Sequence, residues 1–241
     1  MPEEVGIILS NLKSIKSSKF GDLELYFGKI ILDNSREILV TTGWSGWGKV
    51  SAARATTRLL SSNFDAKLID TVIFTGVAGA VDPKLKKWDI ILADSVVQHD
   101  MDARPIFDKY VIPALNNKEI IPNMDFLDKT YDRLKKELNK KSFSEFGNLY
   151  KGLIATGDMF ISSREKINQL SKEISRLYAV EMEGAAFAQV AFQEKVNWIV
   201  LRIISDEANE TASTDFNKFL SEYKLKSFDL IKSAINAVSI N

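Results

Sequence analysis

Trp198-Ile199-Val200-Leu201-Arg202-Ile203-Ile204-Ser205-Asp206 is a run of strand length, rich in β-branched residues, apolar on both alternating faces and ended by a hydroxyl and a carboxylate. A strand apolar on both faces is covered on both, which in a water-soluble domain means a sheet with helices packed on either side. Runs of the same kind recur at Val5 to Leu9, Glu37 to Thr42, Thr71 to Gly76, Asp89 to Ala93 and Gly152 to Thr156. Helical spacing fills several of the intervals. Lys49 to Ser62 sets Val50, Ala53, Thr57 and Leu60 on one face, and Phe126 to Lys140 does the same with Leu127, Tyr131, Leu134 and Leu138. Glu183 to Glu194 is Ala-rich, and Asp215 to Val238 carries Phe216, Phe219, Leu220, Tyr223 and Phe228 in a long amphipathic pattern. This alternation predicts an α/β fold with a central mixed β-sheet flanked by helices.

The 241 residues suit one large domain, and neither a linker nor a repeat divides them, so residues 1–241 are read as a single domain. Apolar residues make up 45% and charged residues 27%, which sets aside disordered and fibrous classes. Lys and Arg total 32 against 32 Asp and Glu, a balance that calls for neither nucleic acid nor an anionic membrane as partner. The default ligand is a small, weakly charged molecule. Absence of cysteine excludes disulfides and thiol catalysis, and a single histidine argues against the common zinc sites. No apolar run approaches the roughly 20 residues of a membrane span. The acidic start Met1-Pro2-Glu3-Glu4 lacks the basic beginning of a secretory signal, so a cytoplasmic protein is expected.

Ligands of open α/β sheets gather beyond the carboxyl ends of the strands. Those ends are where small and acidic residues cluster here: Thr42-Gly43-Trp44-Ser45-Gly46, Thr75-Gly76-Val77-Ala78-Gly79, Thr156-Gly157-Asp158 and Ser205-Asp206. Gly43 to Lys49 has the spacing of a triphosphate loop, but Val50 stands where the magnesium-binding hydroxyl belongs, and Gly76 to Gly79 does not satisfy the dinucleotide pattern. The glycines either let backbone N–H groups approach a ligand or simply make tight turns. Glu181 and Glu183 enter an apolar helix and must be bonded there, either to backbone donors or to a polar ligand. Asp206 closes the driest strand. A partly desolvated carboxyl holds its proton more firmly and suits proton delivery, and the alternative is a cap on the following turn.

The set Gly6-Ile7-Ile8, Ser45-Gly46-Trp47-Gly48-Lys49-Val50, Thr75-Gly76-Val77-Ala78-Gly79, His99-Asp100-Met101-Asp102, Thr156-Gly157-Asp158-Met159-Phe160-Ile161, Val180-Glu181-Met182-Glu183-Gly184-Ala185 and Arg202-Ile203-Ile204-Ser205-Asp206 resembles the 5′-methylthioadenosine/S-adenosylhomocysteine nucleosidases of the nucleoside phosphorylase superfamily. The likeness runs in order from about residue 6 to about residue 220. It implies a nucleoside phosphorylase-like fold and hydrolysis of the N-glycosidic bond between adenine and a 5′-thio-substituted ribose, through a transition state like a ribosyl oxocarbenium ion. By the resemblance, Asp206 is the acid that protonates or hydrogen-bonds N7 of adenine, and Ser205 orients it. Phe160 stacks on the base and the Ile161 backbone reads its edge. Glu183 grips the ribose hydroxyls, with Met182 against the sugar, Glu181 nearby, Arg202 pairing the carboxylates from behind, and Ala78 and Gly79 forming the turn beneath. Phe216 closes over the site.

The resemblance also implies a homodimer whose partner subunit helps build an apolar channel for the 5′ tail, for which Ala103, Ile106 and Pro113 are the candidates. Trp44 and Trp47 belong to that channel or to the dimer contact, and His99 is read as a structural residue. No metal and no organic cofactor is implied. One departure stands out. The family follows its first strand with a glutamate-rich turn that activates water, whereas Leu9-Ser10-Asn11-Leu12-Lys13-Ser14 holds no carboxylate, and Ser14 falls where the base should be. Glu183 or Glu24 is then left for the task. Two alternatives follow: a phosphorylase, for which Phe74-Thr75 lacks the arginine that would hold phosphate, and a nucleoside-binding protein without turnover.

Overall fold

Strand β9 (Asn197–Asp206) is the spine of the computed structural model, which describes residues 2–32, 35–62, 68–140, 143–208 and 212–239. Its side chains divide by parity. Trp198, Val200 and Ile204 enter a core shared with Phe187 and Ala188 of α5 (Gly184–Gln193), while Ile199, Leu201 and Ile203 enter another with Leu127 and Leu134 of α3 (Met124–Leu138) and Phe219 and Tyr223 of α6 (Ala212–Val238). Each such side chain contributes about 1.5–3 kcal/mol by burial, so this one strand joins both layers of the domain.

Six strands form the main sheet in the order β6-β5-β7-β8-β4-β9, comprising β4 (Thr71–Ala80), β5 (Ile90–Gln98), β6 (Glu119–Ile120), β7 (Leu149–Thr156) and β8 (Leu177–Glu181) besides β9. β4–β9, β5–β7 and β7–β8 are parallel, and β4–β8 is antiparallel. β9 also pairs antiparallel with β5, which closes the sheet on itself. The expected mixed sheet is therefore present. A second, antiparallel sheet is made of β1 (Lys13–Phe20), β2 (Leu23–Ile31) and β3 (Glu37–Gly43). Helices α2 (Lys49–Ser61) and α4 (Arg164–Glu173) complete the described elements.

One expected strand is a helix. Val5 to Leu9 lies within α1 (Pro2–Asn11), where Ile8 and Leu12 pack with Ile231 and Ile235 of α6 and with Ile30 and Leu32. A five-residue apolar run fits either a buried strand or one face of a helix, and its neighbours in the fold decide between them. The position assigned to Ser14 changes with it. Ser14 sits exposed at the start of β1, with no strand ahead of it among the described residues, so it does not occupy the place of a water-activating group. Met1 falls outside the described residues.

Candidate active site

A pocket opens at the carboxyl ends of β4, β8 and β9, where ligands of such sheets gather. Its polar lining includes Glu181, Glu183, Arg202, Ser205 and Asp206, and its apolar lining includes Trp44, Trp47, Met159, Phe160 and Phe216. Ala78, Gly79, Ile161 and Met182 line it as well. Phe216 meets Phe160 and Trp47 edge-on, with ring centroids 6.1 and 6.4 Å apart.

The two glutamates have divided the roles left open for them. Glu181, at the end of β8, caps α5: its oxygens accept from Gly184 N at 2.8 and 3.0 Å and from Glu183 N at 3.1 Å. It also accepts from the Thr156 hydroxyl and from the Arg202 guanidinium. Glu183 caps no helix with its side chain; it accepts from Gly48 N at 2.9 Å and lies 3.5 Å from Arg202 at the pocket wall. Burial, followed by the nearby Glu181 charge, pushes the Glu183 carboxyl above its ordinary value, against the opposing pull of Arg202 and Gly48 N–H.

Arg202 is buried behind the carboxylates and donates to Thr75 O at 2.9 Å across the Phe74 ring, 4.7 Å from its centroid. Gly76 makes room for it. With φ +154°, a Cβ there would come within 2.0 Å of the Arg202 Nη1. Asp206, 7% exposed, caps the next turn, its Oδ1 accepting from Ala208 N at 2.8 Å, and it also lines the pocket. Ser205 Oγ donates to Asp206 Oδ2 at 2.6 Å.

Ala103, Ile106 and Pro113 do not line this pocket; they follow β5, and Ile106 is 82% exposed. Glu24 is also absent from the lining and lies beside Lys19 on the β1–β2 pair. His99 is buried, and burial lowers its basicity. Thr156 was missed as a site residue. It accepts from Ala185 N at 2.8 Å and donates to Glu181, so it anchors the start of α5. Its signal was a hydroxyl closing a dry strand, the same signal that marked Ser205.

Among the described residues, no group of three or more His, Asp or Glu is placed to hold a metal, and no helix is long and apolar enough to cross a membrane. The fold and this pocket define a member of the phosphorylase superfamily, whose family model matches residues 1–236. Within it the chain belongs to the 5′-methylthioadenosine/S-adenosylhomocysteine nucleosidases. It is 35% identical to the nucleosidase of Staphylococcus haemolyticus over 99% of this chain and 97% of that one. The Neisseria meningitidis nucleosidase, solved with methylthio-immucillin-A, superposes with a TM-score of 0.84 at 25% identity, covering 100% of this chain and 96% of that one. The Streptococcus pyogenes S-adenosylhomocysteine nucleosidase superposes with a TM-score of 0.83 at 30% identity, covering 100% and 94%.

Proposed function

We propose that this chain hydrolyses the N-glycosidic bond of 5′-thio-substituted adenosines such as methylthioadenosine and S-adenosylhomocysteine, releasing adenine in methionine salvage. The observation that carries the reading is one pocket lined by Asp206, Glu183 and Phe160 together. As the C1′–N9 bond breaks, its electron pair passes to adenine, which Asp206 stabilises by protonating or hydrogen-bonding N7. Ser205 orients that acid, Phe160 stacks on the base and the Ile161 backbone reads its edge. Glu183 holds the ribose hydroxyls and faces the positive charge growing on the ring, and water completes the reaction at C1′.

Phosphorolysis is disfavoured because Arg202 is the cation among the described lining residues, and two carboxylates already hold it. Adenine release assayed with and without inorganic phosphate is expected to proceed equally. Release only with phosphate overturns the hydrolase reading, and tight nucleoside binding without release makes the chain a binder.

A cytoplasmic homodimer completes the reading. Exposed Trp44, Trp47 and Ile106 offer an apolar surface to a second copy, whose Ala103, Ile106 and Pro113 would complete the channel for the tail.

A further inference from the structure

Glu183 is held by a glycine turn, and that turn is itself held from two other loops. Lys49 N, at the start of α2, donates to Asp158 Oδ1 at 2.7 Å. Asp158 N donates to Asp100 Oδ2 at 2.9 Å, and Lys49 Nζ closes the ring on Asp100 Oδ1 at 2.6 Å. Lys49 Nζ also reaches Gln98 Oε1 at 3.4 Å. The three residues come from the segments following β3, β5 and β7, which lie far apart in sequence. α2 lacks a side-chain cap of its own at Gly48, so Asp158 provides the acceptor for its first turn from 109 residues away. Gly48 is required there: its φ is +86°, and a Cβ would meet Asp158 Oδ1 at 2.9 Å. Asp158 also stands two residues before Phe160, so the same ring of contacts reaches the segment proposed to bind adenine.

We propose that Lys49, Asp100 and Asp158 form a positioning clamp that presents the Gly48 N–H to Glu183 and so keeps Glu183 available as the anion that grips the ribose. The inference rests on the nucleosidase reading for what Glu183 holds. The Gly48 N–H favours the charged form of Glu183, as does Arg202 from β9, while Glu181 from β8 opposes it. Asp206 faces the same pocket from the end of β9. Around the clamp, His99, just past β5, adjoins Asp100, and Lys166 of α4 lies within electrostatic reach of His99. Burial would raise the Asp100 carboxyl, but Lys49 and the Asp158 N–H outweigh it and hold the group below its ordinary value, which favours its charged form.

The test compares Asp158→Ala with Asp158→Asn, whose amide oxygen can still accept from Lys49 N, and adds Asp100→Ala as an independent break in the ring. The readouts are the pH profile of kcat/KM for adenine release and, separately, the affinity of a non-hydrolysable 7-deaza analogue of methylthioadenosine, which reports the sugar grip without the N7 proton. Asp158→Ala and Asp100→Ala are expected to move the acid limb upward by about one pH unit. They should also weaken the analogue about tenfold, the loss of one charge-assisted bond, with KM affected more than kcat. Asp158→Asn should lie much nearer the parent.

Profiles of both alanine variants that superimpose on the parent's overturn the proposal. So does an Asp158→Asn variant as impaired as Asp158→Ala, or a uniform loss that tracks a lowered melting temperature without moving the limb. A parent chain that releases no adenine overturns the nucleosidase reading instead, and analogue binding across pH then judges the clamp alone.

Discussion

Replacing Asp206 with Asn is expected to reduce adenine release by two to four orders of magnitude while leaving nucleoside affinity within about threefold, the pattern of an interaction made chiefly in the transition state. That loss corresponds to roughly 3–5 kcal/mol of barrier. The fold should tolerate the change. An Asn of the same size keeps an oxygen for Ala208 N, and the Ser205 hydroxyl, which now donates to Asp206 Oδ2, can rotate to accept from the new amide. What the variant loses is the proton for N7, because an amide donates a hydrogen bond but does not transfer a proton to the departing base. Single-turnover adenine release, paired with calorimetric binding of a carbocyclic methylthioadenosine analogue that resists hydrolysis but keeps N7, separates the two effects. Turnover equal to the parent's would take Asp206 out of the reaction, and a parallel collapse of affinity would make it a binding residue.

The legible part of this protein was the part where both faces of an element are dry. β9 announced itself because parity did not matter: its apolar residues from Trp198 to Ile204 meet a core on one side or the other. β1 was illegible for the opposite reason. Lys13-Ser14-Ile15-Lys16-Ser17-Ser18-Lys19-Phe20 is mostly exposed, and it is a strand because β2 pairs with it, not because it buries a face. α1 failed through ambiguity of period, its five apolar residues fitting a strand until α6 is known to lie beside them.

The pocket shows the same division. Glu181, Glu183 and Asp206 could be marked from the sequence because a carboxylate beside a dry element must have a partner. The partners of the two glutamates could not be read, since Thr156 and Gly48 come from other turns, whereas Asp206 bonds within the turn that directly follows it. The clamp escaped notice for that reason too. Lys49, Asp100 and Asp158 look like ordinary surface charges until three loops meet.

Arg202→Met is expected to carry the largest cost to stability, and its pH dependence is the sharpest check on the carboxylates. The arginine side chain is 3% exposed and pairs with a Glu181 side chain equally buried. Removing one partner of a buried pair costs about 3–5 kcal/mol, a large share of a typical 5–15 kcal/mol stability, so the variant should fold but melt roughly 10 °C lower. Glu181 keeps its bonds from Thr156, Glu183 N and Gly184 N. Glu183 loses the pull of the arginine and takes up a proton more readily than before.

The sign of the pH effect follows from linkage. Glu183 stands above its ordinary 4.5 in the folded protein, so the stability it contributes is complete below that value and is lost as pH rises through its folded value. In Arg202→Met the folded value moves higher still, and the deficit relative to the parent should shrink in mildly acidic buffer and widen in mildly alkaline buffer. Activity should run the other way, failing first on the acid side as the ribose loses its anion. Thermal melts of parent and variant in both buffers decide the matter. An equal deficit at both would mean that Glu183 does not take up the proton, and the arginine would then matter for packing over Phe74 and Thr75 rather than for holding a second carboxylate in its charged form.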